Sequence, residues 1–111
     1  MDFQNIQSLE ELERRLQSNK MALVYFSHQK CNVCKVLKPK IRELIVNNYP
    51  NISLFYVDTI KYPEVPGQYS VFAVPTILVF VEDKEYIRES RHISVAGFSE
   101  RINKLYKAYF E

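Results

Sequence analysis

Apolar positions along the chain change period several times, and each change marks an element. Leu9, Leu12 and Leu16 recur at helical spacing behind Ser8, and Glu11, three residues after that serine, completes a capping box. This predicts a first helix ending near Asn19. MALVYFS (21–27) is a short, nearly continuous apolar run containing Val, Tyr and Phe, as in a buried strand. Helical spacing returns with Cys34, Leu37, Ile41, Leu44 and Ile45 on one face through about Asn48, with Pro39 inside it as a predicted kink. NISLFYV (51–57) predicts a second strand and PTILVFV (75–81) a third. Between them, 58–72 contains two prolines and Gly67, which allows a loop with a short helix at most. Residues 82–84 turn the chain into a fourth strand at 85–93. Gly97 then precedes a last amphipathic helix carrying Ile102, Leu105, Tyr109 and Phe110. Strand–helix alternation followed by a hairpin predicts a mixed central sheet with helices on both faces. Tyr25, Phe26, Phe55, Tyr56, Phe72 and Phe80 lie in or beside predicted strands and read as core. Tyr62 and Tyr69 either border a groove or pack at the surface.

Composition narrows the class. The length of 111 residues fits one domain over 1–111, and the formal net charge of +2, from 15 basic and 13 acidic residues, gives no reason to expect nucleic acid or an anionic membrane as partner. The longest apolar stretch, 71–81, is broken by Pro75 and Thr76 and falls short of the roughly 20 residues of a spanning helix. The first fifteen residues are polar and acidic, unlike a secretory signal, so the expected location is the cytoplasm. The 2 cysteines are too few for a secreted disulfide scaffold, which directs attention to redox or metal chemistry.

Those cysteines stand in KCNVCK (30–35), directly between the first strand and the second helix. Cys31 is therefore expected at a helix N-terminus, where free backbone N–H groups favour a thiolate, with Lys30 and Lys35 adding positive charge. Its thiol pKa is expected below the ordinary value of about 8.5. Cys34 follows one turn later on the apolar stripe with Leu37 and Ile41, within reach of Cys31 and more buried. An exposed nucleophile beside a buried resolving thiol is the division of labour that thiol–disulfide exchange requires. Two other readings stay open. A closed zinc site needs four ligands, and only His28 and His92 remain to complete one. Alternatively the cysteines are small core hydrophobes, which suits Cys34 better than Cys31.

The strand–CxxC–helix arrangement, Pro39 five residues past the second cysteine, and the later Val74-Pro75-Thr76 opening a strand together resemble the thioredoxin family. Nearly the whole element order matches. The resemblance implies a three-layer α/β/α sandwich with a mixed four-stranded sheet, and no cofactor beyond the cysteine pair. It implies a cis Val74–Pro75 bond facing the cysteines, where the backbone of Val74 pairs with an extended substrate. Taken alone, Pro75 also suits a strand start, where its missing N–H costs nothing. The implied partners are protein disulfide substrates and a thioredoxin-reductase-like electron donor, acting with a monomer.

The chain departs from the family pattern in several places. Lys30 replaces the Trp usual before the first cysteine, and Asn32-Val33 replaces Gly-Pro between the pair. Tyr25 occupies the place of a buried Asp that helps take the proton from the second cysteine, and Leu54 that of its associated lysine. Losing both members of a buried charge pair together is physically coherent, because one left alone is expensive. Asp58 reads as a strand-end residue. His28, three residues before Cys31, either assists the thiolate or sits as a solvated loop histidine. His92, near the end of the fourth strand, receives no role. Three functions follow: thiol–disulfide exchange on other proteins; a non-catalytic binding module with idle cysteines; and, third, a glutaredoxin-type enzyme, whose usual Gly-Gly is missing here.

Overall fold

The computed structural model describes residues 2–111. Along the chain run β1 (Gln4–Ile6), α1 (Leu9–Ser18), β2 (Met21–Ser27), α2 (Asn32–Asn48), β3 (Ile52–Asp58), α3 (Glu64–Gln68), β4 (Thr76–Val81), β5 (Lys84–Ser90) and α4 (Val95–Phe110). The cap forms with one change from the expected box: Ser8 Oγ accepts the Glu11 N–H at 3.1 Å, but Glu11 Oε1 accepts the N–H of Gln7, at 2.7 Å, instead of that of Ser8. No helix among the described residues is long and apolar enough to cross a membrane.

One sheet holds five strands in the order β1-β3-β2-β4-β5. β1 and β2 both run parallel to β3, whereas β4 runs antiparallel to β2 and β5 to β4. The expected four-stranded sheet is thus corrected to five. The additional strand, β1, has three residues, two of them exposed, so no alternating pattern announces it.

β2 is buried at all seven positions, and its alternate residues face two different cores. Met21, Leu23 and Tyr25 join Leu37, Ile41 and Ile45 of α2 and Phe98, Ile102 and Tyr106 of α4. Ala22, Val24 and Phe26 join Leu12 and Leu16 of α1 and Val65 of α3. Helices therefore cover both faces, which is why β2 reads as continuous rather than alternating hydrophobicity.

Three further expectations are corrected. Phe72, read as core, is 87% exposed in the loop before β4. The last strand stops at Ser90, so His92 lies in the bend that follows it. Gly97 does not precede the final helix but lies in its first turn: Ser94 is the cap, and its Oγ accepts the Gly97 N–H at 3.1 Å. A side chain at 97 would meet nothing closer than Ser94 Oγ at 3.5 Å, an ordinary contact. Gly97→Ala is therefore expected to raise unfolding free energy by about 0.5–1 kcal/mol in urea titrations, because alanine loses less backbone freedom on entering a helix. An unchanged or lower midpoint would contradict this reading of the cap.

Candidate active site

The register of the sheet brings four chain crossings to one end. Ser27 at the end of β2 pairs with Asp58 at the end of β3, Phe26 pairs with Thr76 at the start of β4, and Thr76 pairs with Ser90 at the end of β5. The segments 28–31, 59–63, 73–75 and 91–94 consequently meet above the same edge. Two hydrogen bonds tie them together: Thr59 N–H to the Ser27 carbonyl and Arg91 N–H to the Pro75 carbonyl, each 2.8 Å.

Cys31 is the N-cap of α2, in extended conformation, and its Sγ accepts the Cys34 N–H at 3.2 Å. The two cysteines form a disulfide with a Cα–Cα distance of 5.3 Å. Cys34 is 1% exposed and belongs to the core under α2, whereas Cys31 is only partly buried. The backbone donor aimed at Cys31 Sγ is the kind of group that stabilises a thiolate once the bond is reduced. Lys30 and Lys35 on either side are exposed.

The Val74–Pro75 peptide bond is cis, and Val74 packs partly buried against the same core cluster as Cys31. His28 shares an open groove with Ile60, Phe72 and Val74. Its Nδ1 accepts the Lys30 N–H at 3.2 Å, and its carbonyl accepts the Cys31 N–H at 3.2 Å. The histidine thus shapes the turn that delivers Cys31, and among the described residues no hydrogen bond joins it to either sulfur. Asp58 Oδ1 accepts the N–H groups of Ile60 and Lys61, each at 3.0 Å, which is the work of a strand-end residue. Tyr69 packs edge-on to Phe80, and burial, with Glu13 and Asp83 adding to it, pushes its hydroxyl up to about 12. Tyr62 is likewise packed against the core between the sheet and α1.

Tyr25 lies under α2, fully buried, and its hydroxyl donates to the Cys34 carbonyl at 2.9 Å. Burial, reinforced by Tyr56, raises its pKa far above the ordinary tyrosine value. Beside it stands a group that the sequence reading missed. Lys38 Nζ sits 3.9 Å from the Tyr56 ring centroid and 5.3 Å from that of Phe3, and both rings also neighbour Tyr25. Burial lowers the Lys38 pKa from its ordinary value, with Asp2 pulling in the opposite direction. The signal was available: Lys38 follows Cys34 by four residues and therefore lies one turn along on the same helix face. Leu54 is buried in the same core and carries no charge to pair with.

The family model described as Thioredoxin matches residues 4–104. The chain belongs to the thioredoxin family. Among curated relatives, a thioredoxin-like protein, YdfQ of Bacillus subtilis, is 29% identical over 97% of this chain and 96% of its own length. Thioredoxin-2 of Pyricularia oryzae is 35% identical over 80% of this chain, but that match spans only 51% of the fungal protein. Among solved structures, thioredoxin of Fasciola hepatica superposes with a TM-score of 0.84 at 27% identity, covering 92% of this chain and 98% of that one. The family, the disulfide-bonded CxxC and the loops gathered around it support thiol–disulfide oxidoreductase chemistry in general terms.

Tyr25 is the buried hydroxyl beneath α2, and its energetics can be tested. Tyr25→Phe leaves the ring in place and removes the donor to Cys34, which should cost about 1–2 kcal/mol near pH 7. Tyr25 holds its proton more tightly when folded, so the stability it contributes is complete below about pH 10 and is lost as pH rises toward the folded value. Tyr56, raised mainly by burial, and Tyr69 act in the same direction. Urea unfolding of the oxidised protein between pH 8 and 11.5 should show the wild type losing stability more steeply than Tyr25→Phe, by up to about 1.4 kcal/mol per pH unit. Parallel curves for the two proteins would refute the assignment.

Proposed function

We propose that the protein exchanges its Cys31–Cys34 dithiol with disulfides of other proteins, and does so in the cytoplasm as a monomer. The carrying observation is the asymmetry of the pair: Cys31 caps a helix and is partly exposed, while Cys34 is buried beneath it and bonded to it. In the reduced protein the Cys31 thiolate attacks a client disulfide. The client's S–S bond breaks, one client sulfur leaves as a thiolate and takes up a proton, and a mixed disulfide to Cys31 forms. Cys34 then loses its proton and attacks the Cys31 sulfur, releasing the second client thiolate and forming the Cys31–Cys34 disulfide. Two electrons have moved to the client, and a thioredoxin-reductase-like donor returns them.

Val74 and Pro75 are assigned the task of holding an extended client segment beside Cys31. Their position at the same end of the strands as Cys31 supports that role. Lys30 and Lys35 assist the thiolate through their charge, while His28 acts by fixing the turn.

The test is insulin reduction driven by dithiothreitol. Turnover in the wild type, abolished by Cys31→Ser, is expected; a wild type no faster than dithiothreitol alone would favour the binding-module reading. Iodoacetamide should label Cys31 of the reduced protein before Cys34, with the rate reaching its plateau at lower pH than for free cysteine.

Resolution is the step that Tyr25 bears upon. An apolar setting disfavours the Cys34 thiolate, and the Tyr25 hydroxyl is committed as a donor to a carbonyl. A carboxylate at this position would accept the Cys34 proton, so Tyr25→Asp should shorten the lifetime of the mixed disulfide. It should also destabilise the fold by about 3–5 kcal/mol through the lost ring and the buried polar group. Stopped-flow exchange with a model disulfide, alongside urea unfolding, decides this. A variant that stays folded and resolves no faster shows that proton acceptance at 25 is not limiting.

A further inference from the structure

Four cations lie on the segments that flank or neighbour the cysteine pair. Lys30 and Lys35 flank the cysteines, Lys61 follows β3 into a groove shared with His28 and Lys30, and Arg91 follows β5. The ion pairs of the described residues are Arg42–Asp2, Arg88–Glu85 and Arg101–Glu89, none of which involves these four. Asp58 lines the groove with Lys30 and Lys61, and its Oδ1 accepts two backbone N–H groups.

Arg91 is the most informative of the four. Its φ is 64°, a left-handed conformation unfavourable for a side chain of this kind. Its N–H donates to the Pro75 carbonyl at 2.8 Å, so the backbone at 91 is fixed against the Val74–Pro75 segment. With Val33, Leu37 and His92 it lines an open groove separate from the one that holds Ile60 and Phe72. Exposed apolar side chains complete the surroundings: Val33, Ile60 and Phe72 are 64%, 59% and 87% exposed. Lys61 Nζ also stands 5.8 Å from the Tyr62 ring centroid. Apolar patches framed by cations outside any ion pair suit a polypeptide with acidic side chains better than a small anion.

We propose that this rim selects protein clients whose disulfide is flanked by acidic residues, with Arg91 as the specificity-determining side chain. The inference rests on the proposed exchange reaction and concerns only which client Cys31 attacks. In the first step the Cys31 thiolate displaces one sulfur of the client disulfide, and acidic neighbours of that disulfide are drawn in by the rim.

The experiment isolates that step in Cys34→Ser protein, where the mixed disulfide accumulates. Two synthetic peptides serve as probes, each closed by one disulfide and identical except for two Glu or two Lys beside the cysteines. Capture is followed by acid quench and mass spectrometry. At low ionic strength the Glu peptide should be captured about tenfold faster, and the ratio should shrink to about twofold near 0.5 M salt as screening takes hold. Adding Arg91→Gly should cut the low-salt ratio about threefold, and Arg91→Glu should cut it further. The glycine variant also guards against misfolding, since φ of 64° suits glycine and its Tm should match or exceed that of its parent. Equal capture of the two peptides at low salt, or a ratio indifferent to Arg91→Glu, overturns the proposal. Insulin turnover by the wild type together with equal capture overturns it alone, whereas capture of neither peptide overturns the exchange reading as well.

Discussion

The structure depends on the burial of β2 from both sides. A strand with seven consecutive buried residues must lie inside a sheet and under helices on both faces. Its neighbours are β3 and β4, and the registers with them are what align the ends of β2, β3, β4 and β5. At its C-terminal end the chain leaves the sheet through the His28 turn and enters α2 at Cys31. The cysteine pair is therefore placed by the strand behind it, and α2 is held in turn by Cys34, Leu37, Ile41 and Ile45 pressed onto the same strand.

Elements whose burial is periodic in sequence were legible. α1, β2, α2, β3, β4 and α4 each carry several apolar residues at one spacing, and the capping box at Ser8 announced its helix. β1 was not legible, because contacts made elsewhere hold it in place. Phe3 packs against Tyr25 and lies beneath Lys38, and Asp2 pairs with Arg42 at 3.3 Å. These are side chains of the segment just before the strand, contacting α2 and β2. The hydrogen bonds to β3 then extend that anchoring. No local window contains both halves of such an arrangement.

Positions defined by shape rather than by period were also misread. Phe72 follows an apolar valine and precedes a strand, which is the signature of core, yet it sits on the loop that Pro75 ends. The first turn of α4 was obscured by Gly97, a residue that punctuates chains more often than it sits inside helices. Ser94 competes successfully because its side chain satisfies a free N–H, a capping contribution of about 1 kcal/mol that is comparable with the cost of glycine in a helix.

At the centre of the site, the two positions that the family resemblance assigns to a buried charge pair, 25 and 54, hold uncharged side chains. Tyr25 and Leu54 contribute no charge to the interior, so neither carries the desolvation cost of an isolated ion, which would amount to several kcal/mol. The charge nearest to them is Lys38, held at the rim of the core over two aromatic rings instead of against a carboxylate. Cation–π contacts of this kind contribute about 0.5–2 kcal/mol and, unlike a carboxylate, accept no proton. The arrangement therefore keeps a positive charge one turn from Cys34 while leaving Tyr25 free to donate to its carbonyl. Asp at 25 would place an acid among Phe3, Tyr56 and the Cys34 carbonyl, with Lys38 over the same two rings. Stability and proton transfer pull in opposite directions at this one position. Because Tyr25 and Lys38 share Phe3 and Tyr56 as neighbours, their substitutions should not be additive.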